Sequence, residues 1–127
     1  TDKKSEMQGA VAKMKFPRSS TNTAAALAMA ETALLEGRKD AQSIVFVVTD
    51  GLPNNKWRTT TASRRIRKKG VRVVFVAVGR YLRLKWIRRW ASKPSSQNII
   101  SVKKFGQLQK FVGKFVASLC PVMADDR

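Results

Sequence analysis

Ser43-Ile44-Val45-Phe46-Val47-Val48-Thr49 is an unbroken β-branched and aromatic run, and Asp50-Gly51 closes it. A strand with one face in water alternates apolar and polar residues, whereas a strand covered on both faces of a parallel sheet does not. The run therefore predicts a buried parallel strand. Leu52-Pro53-Asn54-Asn55 extends the turn that Asp50 begins.

The same logic reads the segments on either side. Downstream, a basic helix is expected from about Arg58 to Lys69, with Ala62 and Ile66 one turn apart and Gly70 as its stop. Val71 to Val78 is a second buried strand, ending at Gly79. Leu82 to Ala91 is a short helix, Lys93 to Gln97 a loop, and Asn98 to Val102 a third strand. Phe105, Leu108, Phe111, Val112, Phe115, Val116 and Leu119 recur at helical spacing and read as the core-facing stripe of a last helix. Upstream, Met7, Ala10, Val11 and Met14 give Lys3 to Met14 an amphipathic helical pattern, which Phe16-Pro17 ends. Ser19 to Thr23 is rich in cap formers, and Ala24 to Glu36 is a helix with Gly37 just past its end. Strands alternating with helices argue for an open, doubly wound, mainly parallel α/β sheet of the Rossmann type.

The chain has 127 residues and 43% hydrophobic content, enough for one domain and no more. Residues 1–120 are expected to fold, with 121–127 as a tail. No run approaches the roughly 20 apolar residues of a membrane span. The chain carries no secretory signal and begins at Thr1, so it reads as a piece of something longer. Histidine is absent, which argues against Ser-His-Asp, Cys-His and zinc chemistry.

Lys and Arg number 26 against 8 Asp and Glu, a formal net charge of +18. Between Gly51 and Ala124 there is no acid at all, while eighteen Lys and Arg fall in that span. Such a region repels itself or meets an external anion. Cys120, the single cysteine, is read two ways from composition alone: a buried small hydrophobe closing the last helix, or a thiol whose disulfide partner lies outside the visible chain.

In open parallel sheets, ligands bind beyond the carboxyl ends of the strands. Asp50 sits there, directly after the most apolar strand. An acid leaving a buried strand needs a partner, and hard oxygen donors suit magnesium or calcium. The bland alternative is an aspartate that caps a turn or the next helix, and the residues alone leave both open.

Ser20-Thr21-Asn22-Thr23-Ala24-Ala25-Ala26-Leu27, followed some twenty residues later by Val47-Val48-Thr49-Asp50-Gly51, resembles von Willebrand factor A domains. There a Thr-Asn-Thr loop opens a helix and a strand ends in Thr-Asp-Gly. Gly70 to Gly79 looks like the family's next strand, Trp90-Ala91-Ser92-Lys93-Pro94 like its following helix end and loop, and Phe105 to Cys120 like its final helix and cysteine. The resemblance covers nearly the whole chain in the right order. It implies a non-enzymatic adhesion module with a metal-ion-dependent adhesion site. A divalent cation, magnesium first and calcium or manganese as substitutes, would be held there and accept a carboxylate from a partner protein. By position, Thr21 would give a hydroxyl and Asp50 a carboxylate, while Thr23 would cap the helix from Ala24.

The family's first loop, Asp-x-Ser-x-Ser, supplies most of the metal donors, and nothing in this chain matches it. Ser5, Ser19 and Ser20 lack the preceding strand and aspartate. The first three strands of the family's sheet are also without counterparts, which would leave Ile44 to Thr49 as a bare apolar edge. The chain is accordingly expected to be the C-terminal part of the domain, with a metal site weak or absent on its own. In many extracellular members a cysteine after the last helix pairs with one before the first strand, and the resemblance tilts Cys120 toward such a disulfide.

Arg64, Arg65, Arg67, Lys68 and Lys69 form the densest basic tract and are the candidate contacts to an acidic partner. Trp57, Trp86 and Trp90 interleave with the charges, but no nucleic-acid-binding motif is present and nucleic acid is not the expected partner. The expectation is a secreted, extracellular module for matrix or cell-surface protein bearing an acidic residue. The rival is metal-independent binding of polyanions: sulfated glycans, or an acidic matrix such as a biomineral phase. An enzyme built on Asp50 is disfavoured, because histidine, a glycine-rich phosphate loop and a paired acid are all lacking.

Overall fold

The computed structural model describes residues 3–14, 21–79, 83–111 and 113. Its centre is β2 (Arg72–Val78), where every residue from Val73 to Val78 is buried. Such side chains each contribute about 1.5–3 kcal/mol on burial, so this strand dominates the described core. β1 (Ile44–Thr49) and β3 (Ile99–Val102) flank it, giving a parallel sheet in the order β1-β2-β3. Ile44 pairs in register with Arg72 and Thr49 with Ala77 on one side; Phe75 pairs with Ile99 on the other.

Among the described residues the strands are accompanied by the helices α1 (Lys4–Ala12), α2 (Thr23–Leu34), α3 (Lys56–Lys68) and α4 (Leu84–Trp90). The period of two in the strands divides the sheet into two faces. Val45, Val47, Val73, Phe75, Ala77 and Ile99 meet Leu27, Ala62, Ile66, Ile87, Trp90 and Ala91 from α2, α3 and the α4 segment. On the opposite face Val76, Val78 and Val102 pack with Ile100 and Leu108.

β1 meets one expectation and departs from another. It is the edge strand, as expected, with no described strand on its outer side. It is not covered on both faces: Phe46 and Val48 are 46% and 54% exposed. A continuous apolar run states that both faces can be covered, not that this chain covers them. Of the expected final stripe, Leu108 packs on the sheet, whereas Phe105 and Phe111 are exposed. Phe105 opens a 3-10 turn at Phe105–Gln107, whose three-residue period breaks the α-helical spacing on which the stripe was drawn. Val112, Phe115, Val116, Leu119, Cys120 and the tail from 121 to 127 lie outside the described residues.

Local chemistry sets where the helices begin. Asn22 caps α2 by accepting a hydrogen bond from the Ala25 N–H at 3.1 Å, and Asn55 caps α3 through the Arg58 N–H at 2.9 Å. Thr23, expected to be the cap, is instead the first helical residue and is buried. Asn22 and Thr23 are both good cap formers, and only the tertiary need to bury Thr23 separates them. Asn55→Ala should cost about 1 kcal/mol in urea denaturation; an unchanged midpoint would show that the cap contributes nothing.

α3 lies against the sheet with a face of small residues: Thr59, Thr60, Ala62 and Ser63 are buried beside Ile66. Their hydroxyls are satisfied within the helix, Thr59 donating to the Asn55 carbonyl at 2.9 Å, Thr60 to Lys56 at 2.9 Å and Ser63 to Thr60 at 3.1 Å. Gly70, at φ +84°, then takes the left-handed turn that ends α3 and aims the chain into β2.

Candidate functional site at the carboxyl end of β1

Thr49 is the last residue of β1, and its hydroxyl shapes the turn that follows. It donates to the Gly51 carbonyl at 2.8 Å and accepts from the Gly51 N–H at 3.3 Å. Asp50, between them, is exposed beyond the strand end. The Thr21 loop comes to the same place. The Asn54 N–H donates to the Thr21 carbonyl at 2.8 Å, and a Cβ at Gly51 would sit 4.0 Å from the Thr21 hydroxyl. Thirty residues apart in sequence, Thr21 and the Asp50-Gly51 turn are thus neighbours in space, at the sheet edge where an open α/β fold places ligands.

The donor chemistry of this pair suits a hard cation: one hydroxyl oxygen and one carboxylate. The number does not make a site. Magnesium takes six ligands, and among the described residues no group of three or more His, Cys, Asp or Glu is arranged to hold a metal. The Asp-x-Ser-x-Ser sequence that would add donors does not occur in these 127 residues.

The basic tract is less uniform than its sequence. Glu31 of α2 engages two of its five members: Arg65 Nε lies 3.0 and 3.1 Å from the two carboxylate oxygens, and Lys69 Nζ lies 3.1 Å from one of them. Arg64 and Lys68 remain exposed. Arg67 is half-buried, and its Nε finds no acceptor among the described residues. The Glu31 contacts span 34 residues to Arg65, so no local pattern announces them. The only sequence signal is an acid placed within an otherwise alanine- and leucine-rich helix.

Lys69 and Arg65 hold the Glu31 carboxyl below its ordinary value of 4.5 by hydrogen bonding and charge. A carboxyl lowered in the folded state stabilises fully above its unfolded value and loses that contribution as pH falls through the folded one. Glu31→Gln should therefore lower the unfolding temperature at neutral pH, with the gap to wild type closing on acidification below 4.5. A gap independent of pH would mean that the ion pairs are not its source.

The tryptophans divide as well. Trp90 is 1% exposed and donates from Nε1 to the Thr60 hydroxyl at 2.8 Å. Trp86 stacks on Trp90 at 6.0 Å between centroids, with Lys56 and Arg89 at 5.8 and 5.5 Å from its ring. Trp57 is 69% exposed and meets Trp86 edge-on. Trp90 is core, and Trp57 stands at the surface near Asn54 and Asn55.

With this geometry in hand, known proteins offer a comparison. A model of the von Willebrand factor type A domain matches residues 1–114. Matrilin-1 of Mus musculus is 31% identical over 83 residues, which is 65% of this chain and 16% of that protein. Thrombospondin-related anonymous protein of Plasmodium berghei is 34% identical over 65 residues, 50% of this chain and 11% of its own length. The chain spans less than a fifth of either. Among solved structures, proximal thread matrix protein 1 from the mussel byssus, with a zinc-occupied MIDAS motif, superposes at a TM-score of 0.76 with 27% identity, covering 93% of this chain and 29% of that one. Manganese-loaded TRAP protein of Plasmodium vivax shares the fold at a TM-score of 0.62 and 19% identity, over 84% of this chain and 44% of that one.

Proposed function

Because the chain belongs to the von Willebrand factor type A domain family, we propose that it is part of an extracellular adhesion module that binds a matrix or cell-surface protein through a divalent cation. The observation carrying this reading is the meeting of Thr21 with the Asp50-Gly51 turn beyond β1. The zinc-occupied motif of the mussel byssus protein and the manganese of the Plasmodium vivax protein support a cation in this fold. The similarity to proximal thread matrix protein 1, a matrix protein of the mussel byssus, supports the setting.

Binding here involves no turnover. A divalent ion supplies positive charge between Asp50 and an acidic side chain of the partner, which would otherwise repel each other. Thr21 and Asp50 would be two of its donors, with the first loop of a complete domain giving the rest. The Thr49 hydroxyl, fastened to Gly51, fixes the backbone from which Asp50 projects. The partner is then a protein with an exposed carboxylate. The test is binding of the full-length protein to matrix or cell-surface ligand with magnesium, then with excess chelator. Loss with chelator and return on re-addition of the cation is expected; full binding in chelator would overturn the reading.

A second reading has its own observation: the net charge of +18 and the exposure of Arg64 and Lys68 favour an acidic polymer, bound without metal. Its signature is affinity that falls steeply with salt and ignores chelator.

A further inference from the structure

The end of the sheet opposite Asp50 holds a cleft of about 370 Å³, where the amino end of β2 meets the loop entering β3. Arg67, Arg72 and Lys93 line it, together with Gln42, Ser92 and Asn98, and no acid does. One wall is built. Arg72 Nε donates to Asn98 Oδ1 at 2.6 Å and its Nη2 to the Gln97 carbonyl at 3.2 Å. Asn98, 3% exposed, is itself held by the Ser92 and Pro94 carbonyls at 3.1 and 3.0 Å. Ser92 is locked to β2 by accepting from the Val73 N–H at 2.8 Å.

The other wall is left unanswered. Arg67 reaches the cleft from the last turn of α3, and its buried Nε meets no acceptor among the described residues. Burial, with Arg64 nearby, lowers the Arg67 guanidinium from its ordinary value. Burial and the charge of Arg67 do the same to Lys93, whose ammonium donates to the Arg88 carbonyl. Both shifts fit two cations that share one cleft whose lining holds no acid. A buried guanidinium donor without an acceptor is costly, and a tetrahedral oxyanion answers it with several acceptor oxygens and the missing charge.

We propose that the cleft bounded by Arg67, Arg72 and Lys93 is a binding site for a sulfate- or phosphate-type oxyanion, the group that a sulfated glycan presents. This narrows the acidic-polymer reading to one pocket. That reading stands on salt dependence, whereas this one stands on Arg67, and the two can fail separately.

The test follows unfolding temperature during titration with sodium sulfate, sodium phosphate and a sulfated disaccharide, at fixed ionic strength and in chelator. Sulfate also stabilises folded proteins generally by exclusion from their surface, but that effect does not saturate at millimolar concentration. A saturable rise is expected for the wild type, with affinity about tenfold or more weaker in Arg67→Gln and in Lys93→Gln. Lys103→Gln, an equal loss of charge just past the carboxyl end of β3 and outside the cleft, should keep the response. A rise with the inorganic ions alone assigns the cleft to a free oxyanion, and a larger rise with the disaccharide assigns it to a glycan ester. No rise beyond sodium chloride, or a rise that Arg67→Gln keeps or Lys103→Gln loses equally, overturns the site.

Discussion

Trp90→Ala is expected to destabilise the fold by about 3–5 kcal/mol, the range for emptying a buried aromatic site. Domains of this size hold only about 5–15 kcal/mol in total, so much of the chain should unfold near body temperature. Trp90 is 1% exposed and sits at 5.9 Å from Phe75 and 6.0 Å from Trp86 between centroids. It therefore ties α4 to the central strand, and through its Nε1 bond to Thr60 it ties α4 to α3. Alanine would remove that bond and leave a void between three elements. Trp57→Ala supplies the contrast: at 69% exposure it should cost well under about 1 kcal/mol. Urea denaturation of both variants decides the matter, and a Trp90→Ala protein as stable as wild type would remove this tryptophan from the core.

The second large effect concerns binding. Asp50→Ala in the full-length protein should weaken cation-dependent attachment by at least about a hundredfold, the upper end of what even indirect support of a metal ligand is worth. Stability should hardly move, because Asp50 is exposed and its turn is fixed by Thr49 and not by its own side chain. That separation makes the experiment decisive: a folded variant that cannot bind assigns Asp50 to the ligand, and a folded variant that binds with or without magnesium removes it. Asp50→Asn refines the result. It keeps the size and one oxygen but loses the charge, and should retain little.

β2 was legible in the sequence because Val73-Val74-Phe75-Val76-Ala77-Val78 has no polar residue to offer water, and it is buried throughout. β1 carries the same signature but needs neighbours that a local run does not specify. The bounds of α2 and α3, the two helices with side-chain caps, were legible to within about two residues. Thr59, Thr60 and Ser63 were not legible as core, since hydroxyls read as surface until their protons are seen donating to carbonyls within α3. The pairing of Arg65 and Lys69 with Glu31, and the inward turn of Arg67, depend on how α2 and α3 pack, which spacing along one helix does not encode. The approach of Thr21 to Gly51 came from the family resemblance and not from the residues alone. The Arg67 cleft came from neither.

The outer side of β1 has a consequence for assembly tolerance. Any strand that joins it must seat its side chains against Val45 and Val47 on the helix face and Phe46 and Val48 on the other. A shift of one residue along that ladder would move the newcomer by about 3.3 Å and exchange its two faces. Oxygen donors around a small cation tolerate only tenths of an ångström. Whatever loop such a strand carries to the Asp50 end is therefore indexed by the hydrogen-bond ladder of β1, in the way a vernier fixes a reading. A single apolar edge would set both how the sheet grows and whether its far end can hold an ion.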